Sequence, residues 1–199
     1  MKLSISTIQT CNAELKKTID AYELIAIGGK GVRCEIQLLK LCSQELNKPV
    51  TILEISDSKI DKVETIKGSY LALAGSYVIC LVEDLNECWR RFVVCKELFH
   101  VLFDNPEFEN MELSSHIEDC VSETPAVEDT PQAAQSEFLA EYSAMEFLFP
   151  YSDRLAIIST GEAIDYLATA KHYRIPRIYV ERYLTEHMMK LASIIEKTG

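Results

Sequence analysis

Basic residues are in short supply in this chain. Lys and Arg number 20 against 31 Asp and Glu, giving a formal charge of −11 and a pI near 4.9. A chain of that sign is repelled by phosphate backbones, so direct nucleic-acid binding is not expected. The shortage is complete from Asp104 to Gln135, where Lys and Arg are absent and Asp104, Glu107, Glu109, Glu112, Glu118, Asp119, Glu123, Glu128 and Asp129 all fall. Also missing is any apolar run near the ~18 residues that a membrane helix needs. The first residues lack the long apolar stretch of a secretory signal. The seven cysteines (Cys11, Cys34, Cys42, Cys80, Cys88, Cys95 and Cys120) form no C-x-x-C pair. Several sit in apolar runs such as Tyr77-Val78-Ile79-Cys80, where a free thiol behaves as a small hydrophobe. A reduced, cytoplasmic setting is the expectation. Internal repeats are absent too.

What is present suits one globular chain: 199 residues, 48% hydrophobic and 26% charged, enough to bury a core without staples. Helical spacing runs from Ser6 to Ile27 and is broken by the Gly28–Val32 run, Gly-Gly-Lys-Gly-Val. That run lacks the G-x-x-x-x-G-K-[ST] pattern and reads as a turn, not a phosphate loop. Cys34–Leu46 reads as a second helix. The period then shortens: Val50–Ile55, Tyr70–Leu73 and Tyr77–Val82 read as strands, the last two a hairpin about Ala74-Gly75-Ser76. A helix from Asn86 or Cys88 to Phe103 ends at Asp104-Asn105-Pro106. The acidic stretch after it, with Pro106, Pro125 and Pro131, reads as a long surface loop, either cover for a cleft or a recognition surface for a basic partner. Gln132–Phe149, Asp153–Ile158, Glu162–Tyr173 and Arg177–Glu196 are helical, the last with Ile178, Val180, Tyr183, Leu184 and Met188 on one side. Helices, a small sheet, then helices give an α+β class.

Chemistry concentrates in two segments. In Arg90-Arg91-Phe92-Val93-Val94-Cys95-Lys96-Glu97-Leu98-Phe99-His100, Glu97 and His100 hold the E-x-x-H half of a zinc-peptidase helix. In the full H-E-x-x-H pattern, two histidines one turn apart reach one metal and the Glu activates its water. Lys96 stands in the first histidine's place. Alone, Glu97 and His100 read as a helix-face acid and a partly buried histidine. The second segment is Glu137-Phe138-Leu139-Ala140-Glu141-Tyr142-Ser143-Ala144-Met145-Glu146-Phe147-Leu148-Phe149-Pro150. It resembles the E-x-x-A-[ND]-x-F-A-x-x-L-L-M-P stretch of the ImmA/IrrE metallopeptidase family. Ala168-Thr169-Ala170-Lys171-His172-Tyr173-Arg174-Ile175-Pro176, with Val180-Glu181 beyond, is similar to that family's A-x-x-[FY]-x-[VI]-P-x-x-[VA] segment.

The resemblance spans Ser69 to Leu184 and implies a zincin-like fold with a small, mainly antiparallel sheet. The chain is expected to divide into a zincin-like domain, residues 1–150, and a C-terminal helical extension, 151–199, packed on it. Carried over by residue, the resemblance makes His100 and Glu137 metal ligands and Glu97 the general base, with Glu141 placed to orient a ligand. Lys96 breaks the pattern. A lysine binds zinc only when deprotonated, against an unperturbed pKa of about 10.4. Two protein ligands are fewer than the three that catalytic zinc sites use. The expectation is therefore a degenerate pseudo-peptidase, with no zinc or weakly held zinc. In it, Lys96 pairs with Glu137, Glu141 or Glu97 in the metal's stead. The family acts on helix-turn-helix repressors, which implies a regulatory protein whose partner is such a regulator. The alternative is an active zinc endopeptidase of atypical ligation, with His116 completing the set.

Overall fold

The computed structural model describes residues 5–26, 32–56, 67–103 and 132–198. The Gly28–Gly31 part of the glycine run and most of the acidic stretch, His116 included, lie outside those residues. The described order is α1 (Ile5–Ile25), α2 (Glu35–Glu45), β1 (Val50–Ile55), β2 (Gly68–Leu73), β3 (Ser76–Val82), α3 (Glu87–Phe103), α4 (Gln132–Leu148), α5 (Tyr151–Ser159), α6 (Tyr166–Tyr173), α7 (Arg177–Tyr183) and α8 (Glu186–Thr198). The α+β class holds.

The strands line up as β1-β3-β2. The expected hairpin forms, β2 antiparallel to β3 with Tyr70 opposite Ile79. β1 instead runs parallel to β3, with Ile52 opposite Ile79. The sheet is thus mixed, where a mainly antiparallel one was expected. A hairpin is dictated by its own local turn, whereas β1 meets β3 across 26 residues of chain, and no local signal sets that direction. Alternation puts Val50, Tyr77, Ile79 and Leu81 into the core, and leaves Leu53, Leu71 and Leu73 about half exposed on the sheet's other side. Gly68 opens β2 where a Cβ would come 2.3 Å from a Val93 methyl, so the absent side chain lets β2 lie against α3.

Helix α3 is the centre of the molecule. Asn86 Oδ1 accepts from Trp89 N–H at 3.1 Å, satisfying an amide that the first turn leaves without an intrahelical partner. From Arg91 to Phe103 every residue is buried except Lys96. A helix apolar on nearly all sides must be enclosed, and α3 is covered by α2, α4, β2 and β3. α4 is similar: from Leu139 to Phe149 only Glu141 escapes full burial.

Two boundaries differ most from the sequence reading. α6 starts at Tyr166 because the Asp165 carboxylate caps it, accepting from Leu167 N–H at 3.0 Å and Ala168 N–H at 2.9 Å. The tail, expected to be one helix, breaks at Leu184-Thr185. The Thr185 hydroxyl donates to the Arg182 carbonyl at 2.7 Å and accepts from Met188 N–H at 3.4 Å, ending one helix and starting the next. Val180, Tyr183, Leu184 and Met188 are buried as expected, but Ile178 is 60% exposed, because it falls in the first turn of the short α7.

Candidate functional site

The fold brings Lys96, Glu97 and His100 of α3 against Glu137 of α4. Lys96 and His100 are one turn apart, so their side chains share a face. Lys96 Nζ lies 2.8 Å from Glu137 Oε2 and 3.2 Å from Glu97 Oε1. His100 Nε2 lies 3.0 Å from Glu137 Oε1, and its Nδ1 lies 3.3 Å from the Ser136 hydroxyl. The Tyr70 ring of β2 stacks on the imidazole at 5.9 Å between centroids. Glu97 and His100 are buried, whereas Glu137 is 53% exposed at the mouth.

Two close contacts fall short of well-aligned hydrogen bonds. Glu97 Oε1 and His100 Nε2 are both buried without a well-aligned hydrogen bond, despite their 3.2 and 3.0 Å neighbours. Distance sets the attraction between charges, but angle decides a hydrogen bond. The Lys96–Glu137 contact meets both criteria.

Burial works against the Lys96 ammonium, but Glu97 and Glu137 outweigh it and raise its pKa above the ordinary lysine value. Burial likewise opposes ionisation of Glu137. His100 and then Lys96 overcome it, holding that carboxyl at about 2 against an ordinary 4.5. A carboxylate with a depressed folded value adds stability above its unfolded value and loses it as pH falls through the folded one. Between pH 4.5 and about 2 the melting temperature of the natural chain should therefore fall more steeply than that of Glu137→Gln. Parallel curves would contradict this pairing.

Glu141 stands apart from the other acids. Its carboxylate takes the Arg182 guanidinium at 2.9 Å and the Tyr183 hydroxyl at 3.2 Å, tying α4 to α7. Burial raises its pKa, with Arg182 and the Tyr183 hydroxyl opposing. Neither Arg182 nor Tyr183 stood out in the sequence, because nothing local marks a contact made 41 and 42 residues away. Tyr70 was equally silent, being one aromatic in a strand.

A family model described as IrrE N-terminal-like domain (Peptidase_M78) matches residues 44–185, which span β1 to α7 and every residue of this cleft. The chain belongs to the IrrE N-terminal-like family. Among solved structures, a Mycobacterium tuberculosis transcriptional regulator is similar to this IrrE-like chain, with a TM-score of 0.52 and 16% identity. The match covers 86% of this chain and 44% of that one, so the IrrE-like chain spans under half the regulator's length. At such identity the likeness shows the shared fold. No curated protein matches the chain.

Zinc is the metal that this family's H-E-x-x-H pattern implies, and the described residues do not fit it. Among the described residues no group of three His, Cys, Asp or Glu could hold a metal ion. His100 and Glu137 give two donors, short of the three that catalytic zinc uses. The Lys96 nitrogen, in the place of the missing histidine, is held in its charged form and repels a divalent cation. No helix of the described residues is long and apolar enough to cross a membrane.

Proposed function

We propose that this IrrE-like chain is a regulatory protein-binding module, a pseudo-peptidase whose cleft carries out no zinc-dependent hydrolysis. The observation that supports this most is the Lys96 ammonium, 2.8 Å from Glu137 and 3.2 Å from Glu97, in the sequence position of a zinc-binding histidine. The candidate partner is a helix-turn-helix transcription regulator, the class of protein on which the ImmA/IrrE family acts. Recognition is of that protein and not of DNA, in keeping with the charge of −11. Residues 151–199 serve as a helical extension of the 1–150 domain, and Arg182 and Tyr183 join them to the cleft through Glu141. The setting is the cytoplasm, a reading supported by the free thiols of all six described cysteines.

One observation favours the second reading, an active zinc endopeptidase. Glu97 Oε1 and His100 Nε2 are both buried without an aligned hydrogen bond, as atoms awaiting a further partner would be. Incubation with a purified helix-turn-helix regulator from the same genome separates the two. The proposal expects co-migration in gel filtration and a regulator that stays full length with zinc present or absent. Cleavage that stops with a chelator and with Glu97→Gln would put the endopeptidase first.

A further inference from the structure

We infer that Lys96 is a tethered substitute for the metal: its ammonium supplies, from within α3, the positive charge that holds α3 to α4 at the cleft. The inference rests on the zinc-free reading of the cleft but not on the identity of any partner.

Lysine is an odd choice for this place unless its charge is used. Lys96 is the one residue between Arg91 and Phe103 that is not buried, and its own side chain is only 18% exposed. A long charged side chain on an enclosed helix normally carries its head out to water. This head turns inward, onto the Glu97 carboxylate, itself 3% exposed, and across to Glu137 on the neighbouring helix. A buried carboxylate without a counter-charge is costly, and Glu97 has no directed hydrogen bond on Oε1 to relieve it. A zincin answers the same need with a divalent ion between the histidine helix and the Glu helix. Here one lysine meets it, with no metal to acquire or lose. Arg182 repeats the device one turn along α4, where it neutralises Glu141 and ties in α7.

The charge, and not the bulk, is what matters on this account. The alkyl stem could be kept and the charge removed in Lys96→Met, and the buried partner could be neutralised in Glu97→Gln. The test is thermal melting together with metal content, on the full chain prepared without a tag. Lys96→Met should lower the melting temperature by roughly 5 °C, since about 1–2 kcal/mol moves a chain of this size by that much. The same substitution made on Glu97→Gln should have less than about half that effect, because the charge needing a partner is gone. Lys96→His should melt low when metal-free and recover on adding zinc, binding about one ion per chain. That uptake should vanish in the double variant with His100→Ala. The inference is overturned if Lys96→Met melts like the natural chain, since the zinc-free reading would then stand without any role for the ammonium. It is also overturned if the Glu97→Gln background gives no rescue, which would make Lys96 a packing residue, or if Lys96→His takes up no zinc. Zinc bound by the natural chain and lost on His100→Ala would overturn the inference and the zinc-free reading together.

Discussion

Arg91→Leu is expected to destabilise the folded chain by about 3–5 kcal/mol, the cost of removing one partner from a buried ion pair. Arg91 is 1% exposed, and its guanidinium serves three segments at once. Its Nε donates to Glu35 of α2 at 3.1 Å. One terminal nitrogen donates to the Tyr173 carbonyl and, at 3.4 Å, to that of Arg174, and the other donates to the Arg33 carbonyl. Tyr173 and Arg174 end α6, where Arg174 takes the left-handed conformation at φ 54°. The last carbonyls of a helix lack partners and carry its negative end, so a buried cation there caps α6 and joins it to α2 and α3. Leucine would leave Glu35 without its cation and the carbonyls without donors. Arg91→Lys should fail as well, because an ammonium lacks the planar fork that reaches several acceptors. Urea denaturation measures both. A loss under about 1 kcal/mol for Arg91→Leu would show that the buried guanidinium is not what joins these elements.

Glu146→Ala is expected to cost a similar ~3–5 kcal/mol. Arg154 of α5 has no exposure at all, and among the described residues Glu146 of α4 is its one carboxylate. The same carboxylate accepts from Tyr151 N–H at 2.9 Å and so caps the start of α5. The guanidinium lies 5.4 Å from the Tyr183 ring centroid and 5.8 Å from that of Tyr151. Those rings help hold a cation, but Nε and one terminal nitrogen have no hydrogen bond. Burial pulls the pKa of Arg154 down to about 10, which leaves it charged at neutral pH. Without Glu146 that charge would be stranded in the core. The double variant Glu146→Leu/Arg154→Leu should therefore be more stable than Glu146→Ala, since it strands nothing. Equal losses in the single and double variants would mean that the helices need the side chains for packing and not the pair. Because α4 also carries Glu137 and Glu141, loosening of its far end should reach the cleft.

Much of this could be read before any coordinates, and the boundary of what could be read has physical causes. The strands and most helices announce themselves through period, because burial on one side imposes it locally. Glu97 and His100 are paired by helical spacing alone. Bringing Glu137 to them needed the family resemblance, since it lies 37 positions beyond His100 and packing, not period, closes that distance. Lys96 was expected to pair with Glu137, Glu141 or Glu97, and the fold selects Glu137 and Glu97 because Arg182 already holds Glu141. The parallel course of β1 and the break at Thr185 were illegible for the same reason. Each is decided by partners distant in sequence or by a hydroxyl whose bonds exist only once the chain has folded. Arg91 sat inside a recognised motif, but the buried link that it makes to Tyr173 and Arg33 is a property of the assembled core.

The most direct measurement is elemental analysis of the natural chain, purified without a tag and equilibrated with zinc at neutral pH. A cleft whose cation is Lys96 should retain far less than one zinc per chain, and should melt at the same temperature with or without a chelator. About one zinc per chain, lost on His100→Ala and accompanied by a lower melting temperature in chelator, would contradict the account.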